Sequence, residues 1–292
     1  MKPAPFTYHD PATTAEAVAV LASHENARPL AGGQSLVPMM NFRYAAPDHL
    51  VDLNGIESLR GLEVGARIAI GAMTRQREVE FSTDLAAACP ILIEALRHVG
   101  HRQTRNRGTI GGSLCHLDPA AETPAIMLLH DATVTTQSAS GSRDLPMGDF
   151  ALGFMTSALE PDELLTRVSF DAWPQDHGWG FEEYARRHGD FAIASAGVLL
   201  TLDARGAVDR FALVIGGLGP TPQRLHDFEA QALGAMPDDD FIKAAANAAG
   251  SVEAMDDAHV SARYRQHLAS VMSARALRRA LACAAQRSLQ HA

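Results

Sequence analysis

The sequence predicts an α+β protein: two small α/β units followed by a C-terminal antiparallel sheet with helices. Three observations carry that expectation. Short strand-like apolar runs alternate with helix-period segments through residue 175. A cluster of Trp173, Pro174, Gly178 and Gly180 then punctuates the chain without periodicity and marks a boundary. Beyond it, two long apolar runs flank Ala204-Arg205-Gly206 as a hairpin, and two helix-period segments close the chain.

The first unit, residues 1–55, opens on the extended "FTYH", turns at Asp10-Pro11 and enters a helix. Thr13 or Thr14 is its N-cap, and Ala17, Val18, Val20 and Leu21 form its apolar side. "ARPLAGG" reads as a buried strand running into a glycine turn, and "HLVDL" as a second strand. The second unit, residues 56–175, begins with the strand "ARIAIG". A helical stretch over 84–100 follows, broken or opened by Pro90. Residues 119–131 form another helix, and "ATVTTQSA" and "DELLTRVSFD" two more strands. In the third unit, 176–292, the hairpin is backed by "DDFIKAAANAAG" and a long final helix, where Tyr264, Leu268, Val271 and Met272 share a face.

Composition narrows the function. The chain has 292 residues, 47% apolar and 20% charged, as in ordinary globular proteins. A formal charge of −9 argues against a general nucleic-acid binder. Cys89, Cys115 and Cys283 are far apart with no Cys-x-x-Cys, so this chain alone is expected to offer neither a zinc site nor an iron–sulfur cluster. Their sparse, odd number fits a reducing compartment. The N-terminus lacks the apolar core of a signal peptide, and no apolar run reaches 18 residues. These features lead us to expect a cytoplasmic protein without a membrane span.

Two glycine pairs stand out. "PLAGGQSLVPMM" places Gly32-Gly33 between a strand and helix-forming sequence, and "RNRGTIGGSLCHLDPAAETPA" repeats the pattern at Gly111-Gly112. Such turns are either tight connections or anion cradles, since glycine admits positive φ and lets amides approach a ligand. Two of them in consecutive units would suit one pyrophosphate gripped from both sides. Neither is a Rossmann or P-loop fingerprint. "GGLGP" leads into prolines and reads as a plain turn. Arg97, Arg102, Arg105 and Arg107 form a basic segment with two readings, a helix end or an electropositive wall; Arg186 and Arg187 pose the same choice.

Together with "YARRHGDFA" and "GGLGPTP", these two motifs resemble the FAD-binding medium subunit of the molybdenum hydroxylases, the family of carbon monoxide and xanthine dehydrogenases. The likeness runs nearly end to end. It implies that the two α/β units form the FAD-binding part, with Ala31, Gly32, Gly33, Gln34 and Ser35 on the diphosphate. Thr109, Ile110, Gly111, Gly112 and Ser113 supply the second motif; relatives often carry an acidic or amide residue at the position of Ser113. His116, Asp118 and Glu122 fall within reach of the ribityl chain or adenosine, and Leu164 and Tyr184 near the isoalloxazine. Without a ligand, Asp118 reads as the N-cap of the following helix, Glu122 as a first-turn carboxylate, His116 and Tyr184 as satisfied polar residues, and Cys115 as a small buried one.

The resemblance implies a flavoprotein subunit with no catalytic side chain and no metal of its own. Molybdopterin would sit on a large partner and [2Fe–2S] clusters on a small one, in a dimer of heterotrimers. Electrons would reach FAD from the clusters and leave to an external acceptor. Three scattered cysteines exclude the relatives' version with an extra four-cysteine cluster; a nicotinamide-using version stays open. The rival readings are a stand-alone FAD-dependent oxidoreductase and a non-catalytic nucleotide-binding scaffold.

Overall fold

A computed structural model describes residues 1–291, with side chains to Arg287. The first unit comprises β1 (Thr7–His9), α1 (Thr14–Ser23), β2 (Ala27–Leu30), α2 (Leu36–Asn41) and β3 (His49–Asp52). Thr13 caps α1 in a reciprocal box with Glu16, as Thr-x-x-Glu specifies. β3 lies between β1 and β2, both parallel to it, with Thr7 and Ala27 opposite His49. Ala17, Val18 and Leu21 of α1 join Val51 in a core that continues past residue 55 into Leu59, Met73 and Leu164. The first two units therefore share one apolar cluster.

The second unit runs β4 (Leu62–Glu63), β5 (Arg67–Gly71), α3 (Gln76–Glu80), α4 (Thr83–Ala88), α5 (Pro90–His98), α6 (Arg102–Arg107), α7 (Ile110–His116) and α8 (Glu122–Leu129). It continues through β6 (Thr133–Ser138), β7 (Gly141–Pro146), α9 (Met147–Phe150), β8 (Ala151–Gly153), β9 (Thr156–Ser157) and β10 (Leu164–Asp171). Its five-stranded sheet has the order β4-β5-β10-β6-β7. Pro90 stands at the first position of α5 and splits the expected helix in two, because its ring suits a first turn and it has no amide to donate. β7 is a strand that the sequence does not announce. It is exposed at all but one of its residues, so no alternation of apolar and polar side chains marks it.

β11 (Gly178–Tyr184), β12 (Ala194–Leu202), β13 (Val208–Gly216) and β14 (Gln223–Arg224) form the C-terminal antiparallel sheet. Helices α10 (His226–Ala232), α11 (Asp239–Gly250) and α12 (Ala262–His291) cover one face. Both faces are buried. Ala194, Ala196, Val198 and Leu200 of β12 point into the helical layer, while Leu199, with Ala212 and Val214 of β13, points into the core built around α5 and α8. On α12, Leu268 and Met272 are buried as expected, whereas Tyr264 is 42% exposed at the helix start.

The loop expected at Trp173 to Gly180 is shorter than its punctuation suggests. Gly178 and Gly180 are strand residues, present because α12 lies against them: a Cβ on Gly180 would stand 2.0 Å from the Ala276 carbonyl oxygen. The connection that remains, 172–177, is held in place. Trp173 is buried under the Arg210 guanidinium at 3.9 Å, and Arg287 donates to the carbonyls of Gln175 and His177. We predict that Gly180→Ala loses about 1–3 kcal/mol of stability through overpacking. Gly153→Ala, with nothing within 4 Å of the added carbon, is the neutral control in the same thermal melt.

Candidate functional site

The two glycine motifs meet. A Cβ on Gly32 would lie 2.2 Å from the Arg107 carbonyl oxygen and 2.8 Å from the Gly108 Cα, and one on Gly112 would touch the Ala31 methyl at 3.4 Å. The segment after β5 locks the second motif in this place through three backbone bonds. The Ile110 amide donates to Thr74 O (3.1 Å), the Gly111 amide to Ala72 O (2.8 Å), and the Gln76 amide to Gly108 O (2.9 Å). Arg75 ties both motifs together. Its guanidinium donates to the Arg107 carbonyl and to Asn54 Oδ1 (2.5 Å), while Asn54 Nδ2 donates to Ala31 O (3.0 Å) and Asp52 Oδ1 (2.5 Å). The Tyr8 hydroxyl holds the other Asp52 oxygen at 2.5 Å.

The motifs differ in what they leave open. Among the described residues, no acceptor takes the amide protons of Gly32, Gly33, Gln34, Ser35 or Leu36. Gly33 has φ +72°, the left-handed conformation that curves consecutive amides toward one point. The second motif is spent internally. Besides Ile110 and Gly111, the Gly112 amide donates to Thr109 Oγ1 (3.0 Å) and the Ser113 amide to Thr109 O (3.2 Å). Gly111 is glycine because a Cβ would stand 2.6 Å from that of Ala72. Of the two turns expected to grip one pyrophosphate, only the first leaves its amides open. The second motif contributes close packing and the hydroxyls of Thr109 and Ser113.

Charge gathers at the first turn. Burial, and then the nearby Arg107 and Arg60, hold the Arg75 guanidinium below its ordinary value. Arg60 donates to Asn54 O at 2.6 Å. The basic segment therefore divides by role. Arg105 is buried on Glu80 (2.8 Å) and Val99 O (2.9 Å), Arg97 pairs with Glu94 (3.1 Å), and Arg107 belongs to the cluster beside Gly32. A partly exposed, amide-lined turn with a guanidinium cluster at its edge fits a diphosphate in geometry and in sign.

The remaining predicted residues scatter. Asp118 does not cap α8, which starts at Glu122; it accepts from the Ala120 amide (2.9 Å) and closes a turn ahead of the helix. His116 ends α7, half-buried, and desolvation holds it below the usual imidazole range against an opposing pull from Asp118. Leu164 is 2% exposed within the apolar core and offers no face to a ligand. Tyr184 is 38% exposed at the end of β11, beside Tyr264, whose hydroxyl it pushes above the ordinary phenol range. Burial pushes the Cys89 and Cys115 thiols up to about 12, so neither is a thiolate at neutral pH. Sequence reasoning did not find Asn54, Arg60 and Arg75; an isolated Asn or Arg carries no local signal.

Residues 4–173 match the family of the FAD binding domain in molybdopterin dehydrogenase, and 179–280 the CO dehydrogenase flavoprotein C-terminal domain. The chain belongs to this family, that of the FAD-binding medium subunits of the molybdenum hydroxylases. It is 39% identical to the 6-hydroxypseudooxynicotine dehydrogenase complex subunit alpha of Paenarthrobacter nicotinovorans, over 96% of each chain. It is 35% identical to the carbon monoxide dehydrogenase medium chain of Hydrogenophaga pseudoflava, over 97% of this chain and 99% of that one. Its fold superimposes on quinoline 2-oxidoreductase from Pseudomonas putida 86 with a TM-score of 0.93 at 34% identity, covering 97% and 99% of the two chains. No helix among the described residues is long and apolar enough to cross a membrane.

Glu122, at the start of α8, is 7% exposed and meets the buried carboxyl of Glu183 on β11. Desolvation, and then the neighbouring carboxylate, push Glu122 well above the ordinary range; desolvation raises Glu183 to about 7. The nearest imidazole, His98 at 3.8 Å from Glu183, is itself held low by burial and supplies no permanent cation. The pair accordingly keeps a proton that the unfolded chain would release. Its contribution to stability is full below the unfolded carboxyl range and is lost as pH rises through about 7. Glu183→Gln should therefore melt about 2–4 °C above wild type at pH 8, the gap closing at pH 5. Parallel curves across that range would show that the pair does not titrate.

Proposed function

We propose that this chain is the FAD-carrying electron-transfer subunit of a molybdenum-containing dehydrogenase. Its partners would be a small [2Fe–2S] subunit and a large molybdopterin-binding subunit, assembled as a dimer of heterotrimers. The observation that carries the reading is the run of five acceptor-free amides, Gly32 to Leu36, under Arg60, Arg75 and Arg107. Family membership and relatives that are dehydrogenase subunits over their full length support it.

In this reading Gly32, Gly33, Gln34 and Ser35 hold the diphosphate through backbone amides. Ala31 anchors the turn through its carbonyl, and Thr109 and Ser113 offer hydroxyls from the facing motif. FAD, when bound, supplies one- and two-electron redox chemistry toward an external acceptor. The chain's own work is to bind and orient: Arg75 keeps the two motifs in register, and Asn54 braces the Ala31 carbonyl. His116, Asp118 and Tyr184 border the rest of the cofactor, and Glu122 is a protonated donor beside it. Leu164 acts from behind, as packing.

Flavin content tests this. The complex purified with its partners should release about one FAD per chain on denaturation. Arg75→Ala should weaken FAD binding about tenfold or more, the scale of a lost charge-assisted contact, while Arg97→Ala leaves it unchanged. Equal flavin content in wild type and Arg75→Ala would remove the assignment. Gly32→Val and Gly111→Val cannot decide the matter, since both side chains would strike the protein itself.

A further inference from the structure

Three histidines far apart in sequence converge in the first unit, away from the glycine turns. His9 ends β1, His49 begins β3 and His24 follows the last turn of α1. Their ring centroids are 4.1–5.3 Å apart, and each can place one ring nitrogen within 4.8 Å of the other two. All three are half-buried, which leaves an access path while excluding most of the surrounding water. His49 sits level with Thr7 and Ala27 at the start of the parallel sheet, and His9 lies two residues further along, opposite Val51. The glycine turn leaves the end of β2, after Leu30.

The arrangement matches what a metal requires. His24 Nδ1 is 3.0 Å from the Val20 carbonyl oxygen; donating there fixes the tautomer and frees Nε2 as a ligand, the usual backbone support of a metal-binding imidazole. His9 Nε2 and His49 Nδ1 stand 3.0 Å apart. Two nitrogens on one tetrahedral zinc are separated by about 3.3 Å, given Zn–N bonds of roughly 2.0–2.1 Å. His24 is itself the C-cap of α1, and a helix C-terminus favours a cation. A ring-stacking role fits less well. The rings are tilted by 35–51° to one another rather than stacked, and His9 and His49 meet through ring nitrogens.

We propose that His9, His24 and His49 bind one divalent transition-metal ion of the zinc class, with a fourth position left to water. The earlier exclusion of zinc rested on cysteine spacing, which is silent about histidines brought together by a parallel sheet. Bound there, the ion clamps the end of α1 to β1 and β3.

The test uses the full-length chain, freed of metal by chelation and titrated with Zn²⁺ against a chromophoric indicator. One Zn²⁺ per chain is expected. Co²⁺ substituted for it should give a tetrahedral ligand-field spectrum without a thiolate charge-transfer band. Saturating Zn²⁺ should raise the melting temperature by mass action. His24→Ala, and His24→Gln should the alanine variant fail to fold, should weaken Zn²⁺ binding at least tenfold with flavin content unchanged. Substoichiometric Zn²⁺ in wild type, a thiolate band with Co²⁺, or undiminished affinity in the His24 variant would each overturn the proposal.

Discussion

The carbonyl oxygen of Arg107 occupies the space in which any side chain at position 32 would have to sit. That contact brings a loop from the second α/β unit against a loop from the first, so the turn is shaped by a residue 75 positions away. Arg75 makes the contact durable. One arm of its guanidinium takes the Arg107 carbonyl and the other takes Asn54, which in turn holds Ala31. Three guanidinium groups accumulate there, with Glu57 paired to Arg60 at 3.5 Å and Glu78 and Asp52 acting on Arg75.

The C-terminal sheet matters to the site as a wall. Its inner residues Leu199, Ala212 and Val214 share a core with α5 and α8, and the Gly217 amide donates to Pro119 O at 3.0 Å, just ahead of α8. Arg224 adds a second tie, reaching the carbonyls of Leu128 and Leu129 at the far end of the same helix. The helix that follows the second glycine motif is thereby pinned at both ends by the other unit. The buried Glu122–Glu183 pair lies on this junction, so its protonation is coupled to how the two units pack.

Much of the fold was legible because it is written locally. The α1 cap, the β12–β13 hairpin and the first-turn position of Pro90 each follow from a few adjacent residues. β7 escaped because solvent surrounds it, and β11 because its two glycines read as punctuation when they are clearances for α12. In the site, the glycine pairs were legible and their supports were not. Asn54, Arg60 and Arg75 act only through residues that folding brings near. The histidine cluster escaped for the same reason, its members being 15 and 25 residues apart.

The two Gly-Gly-Ser/Gln patterns show how far a motif can be read without its neighbours. Gly32-Gly33 precedes the short helix α2 and Gly111-Gly112 lies in the first turn of α7, and in isolation both would present free amides. At Gly111 the segment Ala72–Gln76 runs antiparallel alongside and takes the donors, leaving glycine to serve close packing. At Gly32 the neighbouring strand β3 ends its pairing at Asp52, and the chain beyond Leu30 finds no further backbone partner for its amides. Whether a glycine turn can cradle an anion is therefore decided by the accounting of nearby carbonyls, which belongs to the tertiary structure, and glycine supplies only the permission to approach.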